Sequence, residues 1–263
     1  MELDIYVVDA FTDTQFKGNS AAVVPLEEWL APELMQNIAT ENNLSETAFL
    51  KSIGANRYEI RWFSPITEID FCGHATLASS LVLFDELGIN GTIEFHTLEV
   101  GTLTVEKNAQ GKIEMTFPAR LPKAVSDIPS ALIEGLSCDV ERVLLSPQAY
   151  FVVVDSQQEV LEVQYRSEHL KTLAPYDVVV TAKGDQQDFV SRYFWPANGG
   201  DEDPVTGSIH AGLAPFWAEA LGKTSLIAYQ ASQRGGILHC EVTDEQVRVS
   251  GDGVLYMKGK VFV

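Results

Sequence analysis

The 263-residue sequence repeats itself. Setting Cys72 opposite Thr206 gives a constant offset of 134 residues, and the match then runs without a gap for over thirty positions. Gly73 meets Gly207, His74 meets Ser208, Asp85 meets Glu219, Leu87 meets Leu221 and Gly88 meets Gly222. Further on, Phe95 meets Tyr229, Gly101 meets Gly235 and Leu103 meets Ile237. Upstream, RWFSPI (61–66) parallels RYFWPA (192–197) once three extra residues are placed in the second loop. Any two strand-helix units share some apolar positions. Two loop glycines and two helix-stop glycines in one ungapped register go beyond that, so the chain reads as two related halves.

Within this frame the hydrophobic pattern predicts mostly short strands. LDIYVVDAF alternates with Leu3, Ile5 and Val7 inward, and AAVVPL follows a Gly18-Asn19 turn signal. EEWLAPELMQNIATENN reads as a helix with Pro32 near its first turn. SETAFL and RYEIRWF read as strands, a helix is expected from Gly73 to Leu87 with Gly88 as its C-cap, and TIEFHT, GTLTVEK and GKIEMTF follow as strands. The segment 118–130, with three prolines, reads as a linker. The second half repeats the pattern with ERVLLSP, YFVVVDS, YDVVVTA and DFVSRYFW, a helix from about Gly207 to Leu221, then GILHCEV and EQVRVSG.

With 46% hydrophobic and 21% charged residues the chain has material for a large core. A formal net charge of -19 disfavours nucleic acid and anionic membrane surfaces as partners. Cys72, Cys138 and Cys240 are far apart and odd in number, which fits a reducing compartment rather than a disulfide framework or zinc knuckle. His96, His169, His210 and His239 show no metal-ligand spacing, so no metal is expected. The N-terminus lacks a signal-peptide pattern and no apolar run is long enough to span a bilayer, so the expected location is cytoplasmic.

Each half presents a glycine-containing loop opening a helix, FCGHAT and VTGSIH. Unpaired N–H groups and the partial positive charge of a helix start suit a carboxylate or a developing oxyanion. Neither loop has P-loop or GxGxxG spacing, so no nucleotide is indicated.

GNSAAVV, NLSETAFL, FCGHATLASS and EDPVTGS, in this order, resemble the motifs of the phenazine-biosynthesis isomerase (PhzF) family, which has the diaminopimelate-epimerase-like fold. The resemblance covers nearly the whole chain. It implies an α+β protein of two pseudo-symmetric domains, each a barrel-like sheet around a central helix, with the active site between them. The domains would be 1–117, for which a last strand at about 254–263 is a candidate to complete the barrel, and 118–253. It further implies a cofactor-independent isomerase in which Glu46 is the general acid/base on a small carboxylate-bearing substrate, such as a dihydro-hydroxyanthranilate. His74 and Asp203 would assist, Asn19, Ser45, Gly73, Gly207 and Ser208 would hold the substrate, and the chain would form a homodimer.

Two alternatives remain open at this stage. Epimerases of the same fold use a cysteine from each half. Cys72 matches the first, but Thr206 stands at the second, and a threonine hydroxyl is too weak an acid to act as an equivalent base. The other alternative is a protein that binds a small acid without chemistry. A Cys-His hydrolase is disfavoured because the side chains of Cys72 and His74 are expected to diverge at a helix entry.

Overall fold

Strand β1 (Glu2–Ala10) is buried along both faces, and that explains its near-continuous apolar sequence. Leu3, Ile5 and Val7 pack into one core with Met35, Ile38 and Ala39 of helix α1 (Pro32–Asn42), as the alternation predicts. The helix starts at Pro32 rather than at Glu27, with Ala31 as its N-cap and the proline in its first turn. β2 (Asn19–Leu26) runs antiparallel to β1 and parallel to β3 (Glu46–Gly54), with α1 as the crossover. β3 then turns back into β4 (Arg57–Phe63), and a short β5 (Glu68–Ile69) lies beside it.

Helix α2 (Gly73–Leu81) contacts β1, β2, β3 and the C-terminal strand Gly253–Phe262, and every one of its nine residues is buried. Such a helix can carry only polar groups that satisfy themselves. The hydroxyls of Thr76, Ser79 and Ser80 donate back to the carbonyls of Cys72, Ala75 and Thr76. Leu77 and Leu81 come so close to the C-terminal strand that a Cβ at Gly253 would meet Leu81 Cδ1 at 2.8 Å. The α-helix does not reach Leu87: it passes into a single π-helical turn over Val82–Glu86. Gly88 nevertheless takes the left-handed conformation expected of a stop (φ +71°). From here β6 (Ile93–His96) pairs parallel with β4, and β7 (Thr102–Lys107) and β8 (Ile113–Pro118) follow antiparallel.

The computed structural model describes residues 1–263. It divides into Met1–Thr116 with Ser250–Val263 as one unit and Phe117–Val249 as the other. In the second unit the 118–130 segment contains a short strand, β9 (Lys123–Ala124), paired with β10 (Arg142–Leu145). Three short helices, α3 (Ser130–Gly135), α4 (Gln157–Glu162) and α5 (Ser167–Leu170), are too brief to show a period of 3.6 in sequence. Leu132, Val160 and Leu170 hold them on the core of that unit. β11 (Ala149–Val153) pairs parallel with β12 (Asp177–Lys183), which turns back antiparallel into β13 (Phe189–Phe194), flanked by the short β14 (Glu202–Asp203).

Helix α6 (His210–Leu221) begins three residues later than expected, because Gly207–Ile209 form a tighter turn with bonds from His210 N–H to Gly207 O and from Ala211 N–H to Ser208 O. Pro215 lies inside this helix and cannot bond to the carbonyl of Ala211; the Arg120 N–H donates to that carbonyl instead, at 2.8 Å. β15 (Ser225–Gln230), β16 (Gly236–Val242) and β17 (Gln246–Gly251) complete the unit.

The repeat seen in sequence is a repeat of structure. In each unit a strand, a central helix and a parallel strand are followed by a hairpin: β4-α2-β6-β7 and β13-α6-β15-β16. Phe95 pairs with Leu103, and the residues at the same offset, Tyr229 and Ile237, pair likewise. Gly101 and Gly235 turn the two hairpins with φ of +82° and +68°. Ahead of each helix a bidentate ion pair fixes the loop, Arg61 with Glu68 and Arg192 with Glu202, each arginine lying over the phenylalanine two residues on.

Candidate active site

β2 and β3 are parallel, so their first residues, Asn19 and Glu46, lie at the same end of the sheet, where α2 also begins. Gly18 (φ +66°) makes the turn into Asn19, and an added Cβ there would come within 2.1 Å of the Ala10 carbonyl oxygen. Cys72, the N-cap of α2, has an extended backbone (φ −142°, ψ 111°), which carries its side chain back over the first helical turn. Four side chains converge there. His74 Nε2 lies 2.8 Å from Glu46 Oε2, and its Nδ1 lies 3.2 Å from the Asn19 amide nitrogen and 3.3 Å from Cys72 Sγ. All four residues are buried, with exposures of 0% for Asn19, 8% for Glu46, 6% for Cys72 and 5% for His74.

The contact between Cys72 and His74 corrects the expectation that these side chains diverge. At the helix entry Cys72 takes an extended conformation, which brings sulfur and imidazole together.

Burial pushes the Cys72 thiol up to about 11, and the Glu46 carboxylate adds to the effect against a smaller opposing pull from His74. The thiol is therefore neutral near physiological pH. Burial works against a charged His74 too, but the groups against its ring, Cys72 and Glu46, outweigh it and hold the histidine well above its ordinary value. An imidazolium donates from both nitrogens, and a half-turn of the Asn19 amide presents oxygen instead of nitrogen to Nδ1. Asn19 can thus serve either protonation state of the ring. Glu46 Oε2 is buried, touches the imidazole and has no hydrogen bond directed at it. The carboxylate oxygen, imidazole nitrogen and thiol sulfur all lie within 4.8 Å of one another, but the thiol faces Nδ1 and the carboxylate Nε2, so no single ion on one ring nitrogen reaches both other donors.

The remaining expected residues fall as follows. Gly73 opens α2 and is buried; Ser45 is half-buried in the bend before β3. Asp203, Gly207 and Ser208 belong to the second unit. Asp203 accepts a hydrogen bond from the Thr206 hydroxyl, whose backbone N–H donates to Gln230 Oε1 at 2.9 Å. Ser208 Oγ accepts from Gln148 Nε2 at 2.9 Å, and the same nitrogen donates to Tyr193 Oη at 2.9 Å. Tyr193 in turn donates to Asp177 Oδ2 at 2.6 Å, and Asn198 donates to Asp177 Oδ1 at 2.7 Å.

Sequence reasoning singled out Ser208 but passed over Gln148, Tyr193, Asp177 and Asn198 behind it. Thr47 pairs with Phe63 in the first unit and Val178 with Phe194 in the second, so Asp177 occupies the place of Glu46. The pairs Ala21–Glu46 and Ala149–Asp177 repeat the same register. The signal was present: carrying the RWF/RYF correspondence back through the preceding strand sets Asp177 against Glu46. Where the first unit has a carboxylate against an imidazole, the second has a carboxylate linked to Ser208 through a tyrosine and an amide.

Comparison with known proteins agrees with this architecture. Residues 8–259 match the PhzC-PhzF family, described as phenazine biosynthesis-like protein. The chain belongs to this family. A protein named as an uncharacterized isomerase of Pseudomonas aeruginosa is 45% identical over 98% of each chain. A crystal structure of a PhzF-family phenazine biosynthesis protein from Enterococcus faecalis superposes with a TM-score of 0.94 at 42% identity, covering 100% of both chains. A hydroxyproline epimerase from Agrobacterium vitis shares the fold alone, with a TM-score of 0.61 at 11% identity over 99% of this chain and 92% of that one. The fold is thus the PhzF and epimerase type, and the family and its named relatives class the protein as an isomerase. No helix is long and apolar enough to cross a membrane.

Proposed function

We propose that this PhzF-family isomerase moves a proton between two carbons of a small carboxylate-bearing metabolite, with Glu46 as the acid/base. The observation that carries the reading is the Glu46 carboxylate oxygen: buried, without a hydrogen bond, and 2.8 Å from an imidazole held by Asn19 and Cys72. A carboxylate kept from water but not neutralised by a directed hydrogen bond is a competent base. In the forward step Glu46 removes a proton from a carbon activated by a neighbouring carboxylate or double bond. The electron pair moves into the conjugated system, and the new carboxylic acid returns the proton at the far carbon. His74, whose Nε2 lies 2.8 Å from the Glu46 oxygen, orients the carboxylate and can exchange a proton with it. On the family resemblance, Asp203 is proposed to assist the chemistry, Asn19, Ser45, Gly73, Gly207 and Ser208 are proposed as substrate contacts, and a homodimer as the assembly. A dihydro-hydroxyanthranilate is one substrate of the required chemistry.

The test is a screen of aromatic, hydroxy and amino acids incubated with the protein in heavy water. Deuterium entering a carbon of one candidate identifies the substrate. Cys72→Ser retains that activity if Glu46 leads the chemistry; activity lost with Cys72→Ser but kept with Glu46→Gln would transfer the reading to a thiol mechanism.

A further inference from the structure

We propose that Asp177, Tyr193 and Gln148 are positioning residues that hold Ser208 as a hydrogen-bond donor. The substrate group placed against Ser208 is then an oxygen acceptor, a carboxylate or the oxyanion formed when a carbon beside it loses its proton. That Ser208 meets the substrate rests on the proposed function; the order of donors and acceptors behind it does not.

The order runs from the carboxylate outward. A charged carboxylate accepts and cannot donate. Asp177 Oδ2, 2.6 Å from Tyr193 Oη, therefore takes the hydroxyl proton of the tyrosine, while Asn198 Nδ2 donates to Oδ1 at 2.7 Å. Tyr193 Oη is left with lone pairs only. The Gln148 amide must then face it with nitrogen, at 2.9 Å, and not with its carbonyl oxygen. The same nitrogen lies 2.9 Å from Ser208 Oγ and donates to it. Ser208 thus spends a lone pair inside the protein and keeps its proton. Its hydroxyl makes no other hydrogen bond in the chain, and the residue is half-buried, so that proton is available to a bound group. With the amide reversed, Ser208 would donate to Gln148 Oε1 and turn lone pairs toward the substrate, an arrangement that repels a carboxylate.

The line is anchored at both ends. Gln148, Asp177 and Tyr193 stand on or beside three adjacent strands, and the Asp177 N–H donates to the Gln148 carbonyl at 3.1 Å. The Ser208 carbonyl accepts from the Ala211 N–H at 3.1 Å in the turn that opens α6. The internal repeat sets Asp177 in the place of Glu46 and Ser208 opposite His74. An imidazole can take a proton on one nitrogen and release one from the other, whereas the amide in the second line cannot. The second line therefore fixes the direction of hydrogen bonds and moves no proton.

The donor order is tested without substrate. In full-length protein carrying nitrogen-15 in its glutamine side chains, the Gln148 amide pair is the one absent from Gln148→Met. Both of its protons are expected to be protected from solvent exchange, and Tyr193→Phe is expected to release one of them. A Gln148 pair exchanging as fast as an exposed glutamine overturns the proposal.

The positioning role is tested with the acid found by deuterium exchange. Ser208→Ala is expected to raise KM by ~10-fold or more, the scale of a hydrogen bond to a charged group. Gln148→Met and Tyr193→Phe are expected to raise it by ~3-fold or more, with kcat within ~3-fold of wild type. In a Ser208→Ala background these two are expected to add nothing to KM, a coupling that a merely structural role would not produce. Asp177→Leu should match Tyr193→Phe, while Asp177→Asn, which keeps an acceptor for the tyrosine, should restore KM to within ~2-fold of wild type. Circular dichroism checks folding, and Gln148→Met carries the test should Tyr193→Phe misfold. Additive effects on KM overturn the proposal. So does a KM unmoved by Ser208→Ala or Gln148→Met while Glu46→Gln abolishes exchange, a result that leaves the proposed function standing. Exchange independent of Glu46, with the Gln148 protons protected and the KM coupling intact, keeps this inference and loses that function.

Discussion

Cys72 is expected to be an unreactive thiol, and this separates the Glu46 reading from a cysteine-led epimerase. The perturbation is an aromatic disulfide reagent added at pH 7.5 to a Cys138→Ser/Cys240→Ser variant, so that Cys72 alone reports. With burial and Glu46 holding the thiol at about 11, the thiolate is roughly one part in 3,000 at that pH. An unperturbed cysteine near ~8.5 is about one part in ten ionised, so the population ratio is on the order of 300-fold. A more basic thiolate is intrinsically more nucleophilic, which with a Brønsted slope near ~0.45 returns about 13-fold. The net expectation is a rate at least ~20-fold below that of an unstructured cysteine peptide, and slower again because only 6% of Cys72 is exposed. Release of the aromatic thiol followed by absorbance gives the rate, and mass spectrometry confirms the modified residue. Because Glu46 raises the thiol, Glu46→Gln is expected to speed the reaction. A wild-type Cys72 reacting as fast as the free peptide would refute the argument and return the thiolate to the centre of the chemistry.

Three further outcomes follow from buried groups in the structure. His210 is fully buried, donates Nδ1–H to the Thr206 carbonyl at 2.9 Å, and is pushed down to about 4 by burial. Its stabilising neutral form is complete above about pH 6.5 and is lost as pH falls toward 4, a contribution of up to about 3 kcal/mol that His210→Gln should remove from the acid limb of a urea-denaturation pH profile. Gly18→Ala places a Cβ 2.1 Å from the Ala10 carbonyl oxygen at φ +66°, and should lower stability by about 2–4 kcal/mol in urea unfolding. A loss below about 1 kcal/mol would mean that the turn gives way easily. Tyr193→Phe removes a donor from Asp177, a carboxylate that burial already raises. It should cost about 1–3 kcal/mol when Asp177 is charged and less when it is protonated, so the loss should shrink as pH is lowered through the aspartate's titration.

Most of the architecture was legible because it is written twice. The loop and stop glycines of the two central helices mark backbone conformations that few other residues adopt, and Gly88, Gly222, Gly101 and Gly235 all take positive φ. Hydrophobic alternation located the strands around them. It failed at helix ends, where α2 changes into a π turn over Val82–Glu86 and Gly207–Ile209 tighten the entry to α6. Helices of four to six residues left no periodic trace, and β15 was passed over although its hairpin glycine was noted.

At the candidate site, motif resemblance singled out Glu46, His74 and Asn19. That they touch follows from two parallel strands beginning beside a helix start, which sequence spacing does not express. Cys72 was placed in the right loop, but its contact with His74 depends on an extended N-cap conformation. The line from Asp177 through Tyr193 and Gln148 to Ser208 spans residues 148–208 and is brought together by the pairing of β11, β12 and β13 and by the turn that opens α6.

The central claim is that the Glu46 carboxylate carries the proton. With a substrate found by deuterium incorporation, the decisive measurement is the exchange rate of folded Glu46→Gln against wild type, read by proton NMR in heavy water. Glutamine keeps the size of the side chain and removes the base, so the account predicts a fall of ~10²–10⁴-fold. A Glu46→Gln protein that exchanges within a few-fold of wild type would contradict it.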